Sequence, residues 1–245
     1  GKKNAAQSYL LCYQSVLDLK DICQSVKEDT GFALKPSFQY ASFKKDIDAL
    51  KKEQTSRKQI GIPTEWTDEK TMRDKFGIQR YGGLLSDRGA ELDPYAFTHA
   101  LLYHGIKKGL KVFDHTQVTV IDHPNSKVIL TTANKKKIHA KYLVIACGYE
   151  SQQYISKTVQ QLHSTYAIIS EPLTASRLWY KNCLIWETKM PYLYCRTTKD
   201  NRIVAGGKDD DRSAIARNAA LPQKAKALEK AFRQLFPGII FKTDF

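Results

Sequence analysis

The stretch Pro191–Gly207, P-Y-L-Y-C-R-T-T-K-D-N-R-I-V-A-G-G, commits this chain to an antiparallel sheet. It reads as a strand, a tight turn and a second strand, with Lys199, Asp200 and Asn201 as the turn formers. Tyr192, Tyr194 and Arg196 alternate, so an extended backbone puts them on one face. Gly206-Gly207 allow the second strand to bend or to approach another group closely. Two readings of that face stand side by side. A guanidinium fork flanked by tyrosine hydroxyls suits a small carboxylate. A half-buried strand whose arginine makes a surface ion pair has the same pattern, and spacing alone favours it.

The chain has 245 residues, enough for one large domain or two modest ones. No apolar run approaches the length that crosses a bilayer, and Gly1-Lys2-Lys3-Asn4 opens no signal peptide. A cytoplasmic location is expected. The net charge of +14 comes from 39 Lys and Arg against 25 Asp and Glu. These cations are scattered, and the densest run, Lys135-Lys136-Lys137, falls where a hairpin turn is expected. No aromatic-rich basic strand accompanies it in the manner of a single-strand binder, so a nucleic-acid partner is not the expected one, though a polyanion remains an alternative. The charge reads as solubility, with attraction of an anionic cofactor or substrate as a second role. Cys12, Cys23, Cys147, Cys183 and Cys195 make an odd count with no C-x-x-C, which points to a reducing compartment. The first three lie in apolar segments and read as small core residues. The six histidines show no ligand spacing, and Asp209-Asp210-Asp211 reads as a solvated turn, so no metal site is expected.

Along the chain, Tyr9, Cys12, Val16, Leu19, Cys23 and Val26 form one apolar stripe, which predicts a helix over 5–29 closed by a left-handed Gly31. A strand is expected over 37–42, and a polar helix over 46–59 with Ile47, Leu50 and Gln54 inward. Gly61-Ile62-Pro63 ends that helix. A short helix over 68–76 takes Thr67 as its cap. The run 82–92 is a strand pair or a bent strand. Asp93-Pro94 then caps and starts a helix with Phe97, Leu101 and His104 inward, ended by Gly109. Strands are expected over 117–121 and 127–132, joined by a turn at Asp122-His123-Pro124-Asn125. Tyr142–Ala146 is apolar on both faces and predicts a buried, parallel strand. Later strands are expected over 164–170 and 184–187, and a closing helix over 223–236. The chain ends in the apolar run Ile239-Ile240-Phe241, which looks like the start of a strand; with its abrupt beginning, the chain is expected to be a segment of a longer protein.

No G-x-G-x-x-G, P-loop, G-x-S-x-G or H-E-x-x-H occurs, so no local motif establishes an enzyme, and no catalytic residue can be picked from the sequence. Three segments in order nevertheless resemble a known family. They are Leu92-Asp93-Pro94-Tyr95 with the helix to Gly109 and V-F-D-H-T-Q-V-T-V-I, then A-K-Y-L-V-I-A-C-G-Y, then the Tyr192–Gly207 hairpin. Together they are similar to the FAD-dependent oxidoreductases of the D-amino acid oxidase superfamily, the group of glycine oxidase, sarcosine oxidase and D-amino acid dehydrogenase. The resemblance covers about 92–245.

That resemblance implies an α+β or α/β fold in which a mixed-sheet substrate domain accompanies part of a Rossmann-like FAD-binding domain. It assigns 5–31 and 93–153 to the FAD side, and 32–92 and 154–245 to the substrate side. It implies cofactor contacts at Val118 and at the small-residue turn Ala146-Cys147-Gly148. It makes Arg196 the group that binds a substrate carboxylate, with Tyr194 and Tyr166 as further pocket residues. With the resemblance added, the carboxylate and ion-pair readings of Arg196 stand level. The implied activity is flavin-dependent oxidation of the C–N bond of an amino acid or amine. Hydroxy-acid or glycerol-phosphate oxidation on the same fold is the nearest alternative, and a non-catalytic basic binding module is the rival from another class. The family's N-terminal glycine-rich loop has no counterpart here, so FAD is expected in a full-length parent, and the segment alone is expected to be inactive.

Overall fold

The Pro191–Gly207 stretch forms the expected hairpin. Its strands are β9 (Leu193–Thr197) and β10 (Ile203–Asp210), paired antiparallel with Cys195 opposite Ala205. They belong to a seven-stranded mixed sheet completed by β1 (Ala33–Tyr40), β2 (Thr64–Thr67), β3 (Gly83–Glu91), β7 (Ser164–Ile169) and β8 (Leu184–Glu187). The strand order is β2-β3-β1-β8-β9-β10-β7, and β1–β8 is its parallel pair. The structure, a computed structural model, describes residues 1–124, 127–211 and 214–244. Asn125 of the expected turn lies outside them.

The chain folds as two compact units, Gly1–Ala100 with His163–Phe245, and Leu101–Leu162. In the first unit α5 (Ala214–Leu235) packs on β7 and β10. One buried core joins Phe38, Ile185, Leu193, Cys195, Ile203 and Ala205 of the sheet with Leu228 and Phe232 of α5, all essentially without solvent contact. Alternation explains the layer: Leu193, Cys195 and Thr197 point to α5, and Tyr194 and Arg196 point away. α5 starts at Ala214, ahead of the expected 223, and runs through Pro222. Pro222 costs one backbone hydrogen bond, which burial of the helix against two strands offsets. α2 (Ile47–Gln59) packs on β2 and β3 through Leu50, as the sequence predicts.

Several expectations are corrected. The short helix α3 (Glu69–Phe76) is capped by Asp68, whose carboxylate accepts from the Thr71 N–H at 2.8 Å; Thr67 ends β2 and is buried. The first helix, α1 (Lys2–Val26), ends on a left-handed Lys27 (φ 61°), four residues before Gly31. Its stripe is buried only at Cys23 and Val26; Tyr9 and Cys12 are exposed. Gly83–Glu91 is one strand rather than a pair. Asp93 caps α4 (Pro94–Lys107) as expected, its Oδ1 accepting from the N–H groups of Tyr95 at 2.9 Å and Ala96 at 3.0 Å. The buried residue of α4 is Ala100, and Leu101 is exposed. Near the C-terminus Phe241 is buried, Ile240 is exposed, and Thr243 makes a single bridge to Ser170 in place of a strand.

The second unit holds a three-stranded antiparallel sheet of β4 (Val118–Asp122), β5 (Val128–Thr132) and β6 (Lys137–Ala140). The Lys135 turn takes the predicted place, with Lys135 at φ 59°. The buried strand expected at Tyr142–Ala146 does not form. Tyr142 and Val144 are 87% and 84% exposed, and Cys147 is exposed rather than a core residue. A run apolar on both faces becomes a central strand only where neighbouring strands supply hydrogen bonds and cover, and no described strand pairs with this one.

Candidate functional site

Arg196 leaves the sheet on the face opposite α5, its side chain 44% exposed. Register decides which residues share that face. Tyr194 stands opposite Gly206, which stands opposite Ala167 on β7; Val204 stands opposite Arg196; Trp186 on β8 stands opposite Tyr194. A Cβ on Gly206 would sit 2.2 Å from the Tyr194 ring, so only glycine lets that ring lie against the strand. The Tyr192 and Tyr194 rings lie 5.9 Å apart. The hairpin thus presents an aromatic and cationic wall, as its alternation predicts.

Two residues that the sequence did not single out complete the electrostatics. Glu91, the last residue of β3, sets Oε2 3.6 Å from Arg196 Nη1 and Oε1 2.6 Å from Lys35 Nζ. Lys35 also donates to the Thr197 carbonyl at 3.1 Å. The Lys35 and Glu91 side chains are only 11% and 17% exposed. Glu91 Oε2 is buried and accepts no hydrogen bond. At 3.6 Å the Arg196 contact is an ion pair without a hydrogen bond, and such half-exposed pairs contribute roughly 0–1 kcal/mol. Two cations therefore share one carboxylate, and Glu91 takes no hydrogen bond from the guanidinium fork.

Tyr166 is placed elsewhere. It stands opposite Gly207, which stands opposite Leu193, so it points toward α5 with the core. Its hydroxyl hydrogen-bonds to Asp210 Oδ1 at 3.0 Å, and Lys224 lies over its ring while pairing with Asp210 at 2.7 Å. The structure brings Tyr194 and Arg196 together on one face and sets Tyr166 on the other.

Val118, Ala146, Cys147 and Gly148 all lie in the second unit. Val118 lines a cavity of about 710 Å³ with Ile121, Tyr142, Ile145 and Tyr154. Ala146, Cys147 and Gly148 follow directly in irregular, exposed backbone and do not line it; Gly148 has φ 62° and open space where a Cβ would stand. Among the described residues no helix is long and apolar enough to cross a membrane.

The sequence profile of the FAD dependent oxidoreductase family, DAO, matches residues 2–244. The fold is similar to that of glycine oxidase from Geobacillus kaustophilus, with a TM-score of 0.73 at 15% identity over 93% of this chain and 61% of that one. It is also similar to L-proline dehydrogenase from P. horikoshii, with a TM-score of 0.75 at 13% identity over 91% of this chain and 61% of that one. The FAD-bound L-alpha-glycerophosphate oxidase from Mycoplasma pneumoniae matches with a TM-score of 0.68 at 11% identity, over 86% of this chain and 59% of that one. This chain thus spans about 60% of the length of these solved structures. A comparison with curated proteins finds no match.

Proposed function

The chain belongs to the DAO family of FAD-dependent oxidoreductases, and on that premise we propose that its full-length parent oxidises the C–N bond of an amino acid or amine in the cytoplasm. The observation that carries this reading is Arg196: a half-exposed guanidinium on the open sheet face, held beside Glu91 without being saturated by it. It would take the substrate's carboxylate bidentately, with the Tyr194 ring, fixed against Gly206, as a neighbouring wall. Lys35 holds Glu91 in place, so the anchor does not swing when an anion arrives. We assign Arg196 and Tyr194 to substrate binding; Tyr166 supports the sheet from the α5 side.

The residues present fit part of the cofactor. Val118, Ile121 and Ile145 give the second unit's cavity an apolar wall suited to a flat ring, and the sequence has no glycine-rich loop for the pyrophosphate. We therefore propose Val118 at the adenine end and Ala146-Cys147-Gly148 as the turn beside it, with 5–31 and 93–153 on the cofactor side and 32–92 and 154–245 on the substrate side. Bound FAD would supply two-electron oxidation at the carbon next to the amine; this chain's residues bind and orient the substrate. The chain alone is proposed to be inactive. Oxidation of a glycerol phosphate is the second reading, because a glycerophosphate oxidase shares the fold and Arg196 would anchor its anion as readily.

Full-length protein tests the reading. It should carry flavin absorbance after purification, and Arg196→Gln should lower kcat/KM for an amino acid about 100-fold while leaving a carboxylate-free amine unaffected. A colourless full-length protein, or an Arg196→Gln enzyme with unchanged kcat/KM, overturns it. Turnover of glycerol phosphate but of no amino acid selects the second reading.

A further inference from the structure

A cleft of about 510 Å³ opens in the first unit on the α5 side of the sheet, away from Arg196. Tyr40, Glu187 and Leu193 form its floor, α3 contributes Glu69 and Arg73, and α5 contributes Ala231 and Gln234. Its volume falls in the range of small-molecule sites. Four cations line it, Arg73, Arg80, Lys189 and Lys208, against two carboxylates, Glu69 and Glu187.

The carboxylates do not neutralise the cations. Glu187 is satisfied by neutral donors: Ser42 Oγ–H at 2.8 Å, the Tyr40 hydroxyl at 3.3 Å and the Leu193 N–H at 2.8 Å. Arg80 is half-buried, yet Nη1 donates to the carbonyl of its neighbour Gln79 at 2.8 Å, and it pairs with no carboxylate among the described residues. Lys189 and Lys208 likewise make no ion pair among them, and Arg73 reaches Asp74 only at 3.8 Å. The Arg80 guanidinium therefore lines the cleft with donors that no carboxylate occupies among the described residues, which suits an anion.

The backbone supplies a second, independent sign. The β10 ladder shifts register between Gly207 and Asp210, and within that shift Lys208 holds φ 59°. Gly207 before it has φ 136°, where any Cβ would collide with the Tyr192 carbonyl at 2.0 Å. A left-handed lysine in a bulge is strained backbone, of the kind that re-aims a side chain at a site. Here the bulge delivers Lys208 to the cleft.

We propose that this cleft binds a small phosphate-bearing molecule. The surplus of two positive charges matches a dianion, and arginine forks with mobile lysines suit phosphate oxygens. The exposed rings of Phe43 and Tyr81 at the rim offer surface for the organic part.

Calorimetric titration of this chain with pyrophosphate tests the proposal, with malonate as a small dicarboxylate control. Pyrophosphate should bind at one site and malonate at least tenfold more weakly. Lys208→Gln and Arg80→Gln should each weaken pyrophosphate about tenfold or more. Exposed Lys189→Gln, which leaves the fold's contacts intact, should weaken it severalfold even if Arg80→Gln unfolds. Lys135→Gln/Lys137→Gln, which removes charge in the other unit, should change nothing. Absence of binding, equal binding of malonate, or unchanged binding in Lys189→Gln and Lys208→Gln overturns the proposal. The cleft shares no residue with the Arg196 site, so either assignment stands or falls without the other.

Discussion

The two units use similar apolar sequences to opposite ends. In the first, L-Y-C-R-T of β9 hides Leu193 and Cys195 under α5 and leaves Tyr194 and Arg196 to the open face. In the second, Y-L-V-I-A at 142–146 is more hydrophobic, yet Tyr142 and Val144 face solvent, and among the described residues of this unit Val128 and Thr132 are buried. Hydrophobicity alone does not bury a segment. Burial needs a partner surface, which α5 supplies over β7 and β10 and α2 over β2 and β3. The contrast also separates chemistry: an ordered charge cluster at Arg196, Glu91 and Lys35 in one unit, and an apolar cavity wall in the other.

Thiol reactivity reads burial across the molecule with the largest expected effect. Cys147 and Cys12 are exposed, whereas Cys23, Cys183 and Cys195 are buried. Desolvation pushes the Cys183 thiol up to about 12 and raises Cys195 as well, where the Glu187 charge adds to burial. A thiol held near 12 carries about a thousandfold less thiolate at neutral pH than one at its ordinary value. Native labelling read by mass spectrometry should modify Cys12 and Cys147 first, and Cys183 and Cys195 at least a thousandfold more slowly. The buried pair should react only after denaturation. Fast labelling of Cys183 would mean that the β8–α5 layer opens readily.

The next largest effect is packing. Phe232 is fully buried, its ring 5.0 Å from Phe236 and 4.8 Å from Phe241. Phe232→Ala should cost about 3–5 kcal/mol in urea unfolding, from lost burial plus the cavity left behind. A loss below about 1 kcal/mol would show that α5 is not the lid of this core.

The parts that were legible in the sequence rest on local rules. Alternation along Tyr192–Arg196 gives the face of Arg196, and Asp93-Pro94 gives the cap of α4, because each pattern spans only a few residues. The parts that were not legible depend on long-range register. Glu91 reaches Arg196 only because β1 pairs antiparallel with β3 and parallel with β8, and no spacing announces that. The family resemblance sets Tyr166 with Tyr194 as a pocket residue on a neighbouring strand, but its register opposite Gly207 turns it to the other face; a one-residue difference in pairing decides the side. The Lys208 bulge is likewise silent in the sequence, since a lysine seldom takes a positive φ.

The smallest effect bears most directly on the second unit. Val144 is 84% exposed and pairs with no described strand, so Val144→Ser removes little buried area. Its unfolding free energy from urea denaturation should match that of the unaltered chain to within about 0.5 kcal/mol, as surface substitutions do. The alternation-free apolar run at 142–146 argues the reverse, that Val144 stands inside a sheet, where loss of the side chain would cost several times more. A destabilisation of 2 kcal/mol or above would therefore restore the strand and erase the difference between the units. A null result would fix Tyr142–Ala146 as an apolar surface in this chain, available to the ring-binding wall proposed for Val118, Ile121 and Ile145.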